Sequence, residues 1–154
     1  MSGQQVIGLE KLLSEQTVDK LEAALAKSNM EQLRKQMEKL FTFKNVFNLH
    51  DDHLSDLGEF IIDLSRADDR MEWAETTERY VQGRIARYQE RKKKIIAENQ
   101  WAKATGRADE VEMLDLTYQA WVYESGFEYS RYQMYTMLLS IIRNIRDYEK
   151  AREG

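Results

Sequence analysis

Apolar residues recur every three or four positions along most of the chain, and this spacing predicts helices almost throughout. The pattern is longest over two stretches. From about Ala67 to Ala104, one stripe is carried by Met71, Ala74, Thr77 or Glu78, Val81, Ile85, Tyr88, Lys92, Ile95 and Ala102. From about Glu110 to Arg152 a second is carried by Val111, Leu114, Tyr118, Trp121, Ser125, Tyr129, Tyr132, Tyr135, Leu139, Ile142 and Tyr148, with a period near 3.5. Ser125 and the polar Arg146 interrupt it. At 1.5 Å per residue each stretch would be roughly 55 to 65 Å long. Thr105-Gly106-Arg107-Ala108 separates them, and Asp109 with Glu112 supplies capping chemistry for a second start. Two arms of matched length joined by four residues are expected to lie antiparallel.

Shorter patterns precede this hairpin. Residues 1–13 hold Val6, Ile7, Leu9, Leu12 and Leu13, which suits a short arm or a frayed end. A helix from about Thr17 to Lys27 would bury Val18, Leu21, Ala24 and Leu25. Ser28 and Glu31 match a capping box for a helix from Asn29 to about Thr42, lined by Met30, Leu33, Met37, Leu40 and Phe41. Phe41, Phe43, Val46, Phe47 and Leu49 form an apolar corner. A third helix, from about Asp52 to Ser65, would turn Leu54, Leu57, Phe60, Ile61 and Leu64 inward. Residues 66–70 are polar but hold neither Gly nor Pro, so a break and a continuous helix both remain open. The expected architecture is all-α. It is a single helical domain over 1–154, with short N-terminal helices in 1–65. They pack as a bundle along a long, coiled-coil-like antiparallel helical hairpin in 66–154, whose turn lies at 105–108.

Composition supports long helices. Proline is absent, whereas average usage would place about seven or eight in a chain of this length. The absence of cysteine excludes disulfides and thiolate chemistry and fits a cytoplasmic setting. The N-terminal Met1 to Gln5 has neither the basic nor the apolar character of a signal peptide. The uncharged run between Arg131 and Arg143 is far shorter than the ~20 residues that span a bilayer. A soluble protein with no membrane partner is expected.

Charge both tests the hairpin and raises a candidate site. The net charge of -4 argues against a dedicated nucleic-acid coat. A basic run nevertheless stands at Arg84, Arg87, Arg91, Lys92, Lys93 and Lys94. Folding the two arms about Gly106 sets Arg84 at the level of Glu128 and Tyr88 at that of Glu124. It sets Asp68 and Asp69 near Arg143 and Arg146. The structural reading is therefore a charge-matched helix pair, in which each exposed ion pair contributes only a few tenths of a kcal/mol. The functional reading is a single-stranded nucleic-acid site, with Arg84, Arg87, Arg91 and Lys94 on phosphates and Tyr80 and Tyr88 stacking on bases.

Other clusters invite weaker readings. His50 and His53 are three apart, with Asp56 one turn further, and on a helix they could reach one metal. A helix start rich in Asp explains the same residues by capping, and no Glu-x-x-His of the di-iron bundles is present. Asp68, Asp69, Glu72, Glu75 and Glu78 suggest Mg²⁺, but the second acidic pair that all-helical nucleotide hydrolases place opposite is missing. In the second arm Tyr123, Phe127, Met134, Leu138 and Ile141 lie off the main stripe. They would be covered by the N-terminal helices or would form a partner interface. Gly83 and Gly126 fall inside predicted helices, where each costs about 1 kcal/mol against Ala.

No motif marks a known family, a Gly-rich phosphate loop or a catalytic triad. The function expected from sequence is therefore non-enzymatic: a helical protein–protein interaction module such as an adaptor, assembly factor or inhibitor, oligomeric or part of a larger complex. It would need no cofactor. The alternative is an oligomeric single-stranded nucleic-acid binder or mediator acting through the basic face. The third reading is a metal-dependent helical-bundle enzyme.

Overall fold

A computed structural model describes residues 9–41, 49–105 and 126–153. Among them are six helices and no strand: α1 (Leu9–Leu12), α2 (Glu15–Ala26), α3 (Met30–Leu40), α4 (Asp51–Arg66), α5 (Arg70–Ala104) and α6 (Phe127–Glu153). The chain is all-α, and no described helix is long and apolar enough to cross a membrane.

Local side-chain chemistry sets the boundaries. Ser14 caps α2, accepting from the Thr17 N–H at 3.2 Å. Between α2 and α3 the N–H of Ser28 donates to Leu25 O (3.1 Å) and that of Asn29 to Ala24 O (2.9 Å). This paired closure places Ser28 at the left-handed position, with φ 52°. Ser28 is thus the end of α2, and the cap of α3 is Asn29, whose Oδ1 accepts from Gln32 N–H at 3.1 Å. Residues 67–69 form a break without glycine or proline. Ala67 is extended, and the Asp69 carboxylate caps α5 by accepting from Glu72 N–H at 3.0 Å.

Helices α2 and α3 pack on α4, α4 packs on α6, and α5 pairs with α6. Gly58 lets α4 approach closely, since a Cβ there would meet Met37 and Leu33 at 3.4 and 3.5 Å. The main core joins Leu21, Leu33, Leu57 and Ile61 to Ala74 and Val81 of α5 and to Met134, Leu138, Ile141 and Ile142 of α6. A second, smaller cluster continues the α5–α6 seam, with Tyr88, Ile95, Tyr129 and Tyr132.

Tyr88 stacks on Tyr132 (centroids 4.5 Å apart, 18° between planes) and Glu78 pairs with Arg146, so α5 and α6 run antiparallel. Their register differs from the expected one. Tyr88 meets Tyr132, about two turns beyond the level of Glu124. Arg146 engages Glu78 in a two-point contact, one of 3.2 Å, and not Asp68 or Asp69. The seam is aligned by these partly buried contacts, which outweigh the weak surface pairs that align the arms by sequence alone. Gly126 also stands outside the helix interior: its carbonyl accepts the first helical bond, from Ser130 N–H at 3.1 Å. The expected turn at 105–108 beyond Thr105, the cap at Asp109 and the start of the second arm lie outside the described residues. So do Val6, Ile7, Phe43, Val46 and Phe47.

Gly83 lies inside α5, and among the described residues nothing comes within 4 Å of an added Cβ, so none of them requires a glycine there. Gly83→Ala is expected to stabilise the fold by about 0.5–1 kcal/mol. Ser28→Gly, which relieves a left-handed non-glycine residue, is expected to add about 1 kcal/mol. Denaturant midpoints check both, and a lowered midpoint for either would contradict this local geometry.

Candidate anion-binding cleft

The second half of the α5–α6 seam opens into a hollow of about 280 Å³. Each helix contributes residues at the same spacing. Arg84, Arg87, Tyr88 and Arg91 come from α5, and Glu128, Arg131, Tyr132 and Tyr135 from α6. Positions i, i+3, i+4 and i+7 share one helical face, so two such faces meeting antiparallel converge on one hollow. Among the described residues four guanidiniums and one carboxylate line it.

Neighbours orient these groups. Arg84 Nε donates to Tyr80 Oη at 3.2 Å, and the guanidinium lies 5.4 Å from the Tyr80 ring centroid. Tyr80 meets Tyr135 edge to face at 6.2 Å. Burial, followed by the hydrogen bond with Tyr80, pushes the Tyr135 phenol up to about 12, so it keeps its proton. Arg131 pairs with Glu128 at 3.6 Å and lies 5.1 Å from the Phe127 ring centroid. The sole described carboxylate of the cleft is therefore already engaged by an arginine of its own helix.

The residues of the expected basic face are brought together only in part, and with changed roles. Arg84, Arg87 and Arg91 converge, whereas Lys94 lies on a shallower neighbouring hollow with Arg87, Glu90 and Arg91. Tyr88 is only 8% exposed and its face is covered by Tyr132, so it does not offer a stacking surface to bases. Tyr80, 47% exposed, stands at the edge of the cleft beneath Arg84. Sequence reasoning missed Arg131, Tyr132 and Tyr135 as site residues. The signal was present as the spacing 128, 131, 132 and 135, but it needed the true register to become visible.

The expected partner interface is largely consumed by the fold. Met134, Leu138 and Ile141 are at most 1% exposed inside the main core, so they are unavailable to a partner. Phe127 remains at the surface, and Tyr123 lies outside the described residues.

Each histidine engages the fold through its Nδ1. His50 caps α4, its Nδ1 accepting from Asp52 N–H at 3.2 Å. Buried His53 places Nδ1 2.8 Å from Ser130 Oγ, which also accepts from the His50 N–H at 2.8 Å. The Phe127 ring packs on both imidazoles, with centroids 4.8 and 4.3 Å away. Asp56 faces a different hollow, with Glu59, Asp63 and Tyr135. Among the described residues no three His, Cys, Asp or Glu side chains converge for a metal ion. Of the acidic residues that suggest Mg²⁺, Asp68, Asp69 and Glu72 line one hollow without converging for a metal ion, Asp69 caps α5, and Glu78 is on Arg146.

No family model, no curated protein and no solved structure matches this chain.

Burial, then the nearby Arg131 and His50, lowers the His53 pKa from 6.5 to about 4. The unfolded chain therefore binds more protons between these values, and stability rises with pH through that window. His53 contributes roughly 3 kcal/mol above pH 6.5 that is lost as pH falls toward 4. Asp56, whose pKa burial raises, acts in the opposite sense, whereas Glu78, held down by Arg146, adds acid sensitivity below about pH 4.5. Melting temperatures between pH 7 and 4.5 should drop in the native protein and change less in His53→Leu. Parallel curves would assign the acid sensitivity elsewhere.

Proposed function

We propose that this protein is a non-enzymatic helical interaction module that receives an anionic partner in the α5–α6 cleft. One observation carries the reading: among the described residues, four guanidiniums share a single hollow with one carboxylate, and that carboxylate is paired with Arg131. Like charges gathered in a concave, partly dry site raise the local potential and favour an incoming anion. Elsewhere the chain is acidic enough to bring its net charge to -4, so the cleft is a local feature and not a consequence of bulk charge. Arginines, tyrosines and an ion-paired glutamate belong to residue types that ordinarily keep their protonation near pH 7. Such a set favours binding over proton transfer.

The test is retention on immobilised heparin as salt is raised. Arg87→Glu/Arg91→Glu should elute at clearly lower salt than the native protein. Lys20→Glu/Lys27→Glu makes an equal charge change at exposed positions on and just after α2. It should lose only the retention that net charge supplies and elute later than the cleft variant. Equal elution of the two double variants would remove the cleft from the account.

A further inference from the structure

We propose that the anion taken by this cleft is the phosphate backbone of a single-stranded nucleic acid, one phosphate being clamped between Arg87 and Arg91 of α5 and Arg131 of α6. The inference rests on the interaction reading above and adds the chemistry of the partner. Three features favour phosphate in a flexible strand. First, guanidiniums approach the hollow from two helices, and their planar forks match the tetrahedral oxygens of a phosphate from more than one direction. Second, the basic row does not stop at the cleft. Arg84, Arg87, Arg91 and Lys94 follow one another on α5 at about 5 Å of rise per step. This is a ladder on which successive phosphates of an extended strand can be met. Third, Arg84 lies over exposed Tyr80 at the edge of the cleft. The pair presents a flat cation–aromatic surface of the kind on which bases stack without sequence preference.

Size separates this partner from its rivals. A hollow of about 280 Å³ between two packed helices has room for one nucleotide unit, whereas a duplex would meet only its rim with outer phosphates. A bilayer surface would meet the outer lysines but would not enter the cleft. An acidic peptide would satisfy charge and fork geometry alike, but it has no base to stack on the Arg84–Tyr80 surface.

Fluorescence anisotropy with a labelled 20-nucleotide oligothymidylate tests the idea on the full chain. Binding should weaken with salt, with a log–log slope of roughly −2 for about three phosphate contacts. Arg131→Gln should cost about tenfold in affinity with little change in slope, because Arg87 and Arg91 still neutralise the same phosphate. Arg131→Lys should restore only part of the affinity, because charge returns without the fork. The same sequence as a duplex, poly-glutamate and vesicles containing phosphatidylserine serve as rivals and should bind or compete at least tenfold more weakly. Circular dichroism on each variant confirms an intact helical fold, and Arg87→Gln replaces Arg131→Gln if the latter unfolds. No oligonucleotide binding, or equal competition by poly-glutamate or vesicles, overturns the nucleic-acid assignment. If heparin retention still depends on Arg87 and Arg91 in that case, the anionic-partner reading stands. If it does not, both fall.

Discussion

Burial of one face of α6 is the constraint on which the other elements depend. Met134, Leu138, Ile141, Ile142 and Ile145 are almost wholly removed from solvent. No single neighbour covers them: α4 packs on α6 and carries α2 and α3 with it, while α5 pairs along the same helix. Each fully buried aliphatic side chain of this kind contributes roughly 1.5–3 kcal/mol of transfer free energy, far more than any surface ion pair in the molecule. Once α6 is seated, the position of α5 follows from the Arg146–Glu78 contact at one end and the Tyr88–Tyr132 stack at the other. The cleft lies where the aliphatic seam gives way to tyrosine and arginine, so its location is set by where the core ends.

The periodic stripes make the helices legible in the sequence, and the caps make most boundaries legible to within a few residues. Three features are hidden. The break before α5 carries no breaker residue and depends on Asp69 reaching Glu72 N–H, and a continuous helix would match the pattern equally well. Ser28 satisfies the spacing of a capping box, yet the chain uses it at a left-handed helix end and caps with Asn29. By sequence, the α5–α6 register rests on charges worth tenths of a kcal/mol and on an assumed turn. Half-buried and stacked contacts between the two helices align it differently.

The same difference in energy explains how much of the site is readable. Its α5 half is visible because arginines at helical spacing are conspicuous. Its α6 half is not, because Tyr132 and Tyr135 also fit the apolar stripe and Arg131 looks like its polar flank. Met134, Leu138 and Ile141 are ambiguous for the opposite reason. An apolar set on a second helical face suits an intramolecular neighbour and an external partner equally, and only the packing of α4 decides. His53 resembles a ligand by spacing, whereas its Nδ1 is committed to Ser130, a residue 77 positions away whose identity carries no local signal.

A cluster of four arginines is costly unless something holds it, and the way this one is held bears on its use. Arg84 is oriented by a neutral phenol and an aromatic face. Arg131 is oriented by the Phe127 ring and by a single carboxylate. Those contacts orient Arg84 and Arg131 through aromatic rings, a phenol and one carboxylate, whereas Arg146 at the other end of the seam is matched by Glu78 in a two-point pair. Under the proposed function, an anion entering the cleft would meet Arg84 and Arg131 already aimed and would lose little to their ordering.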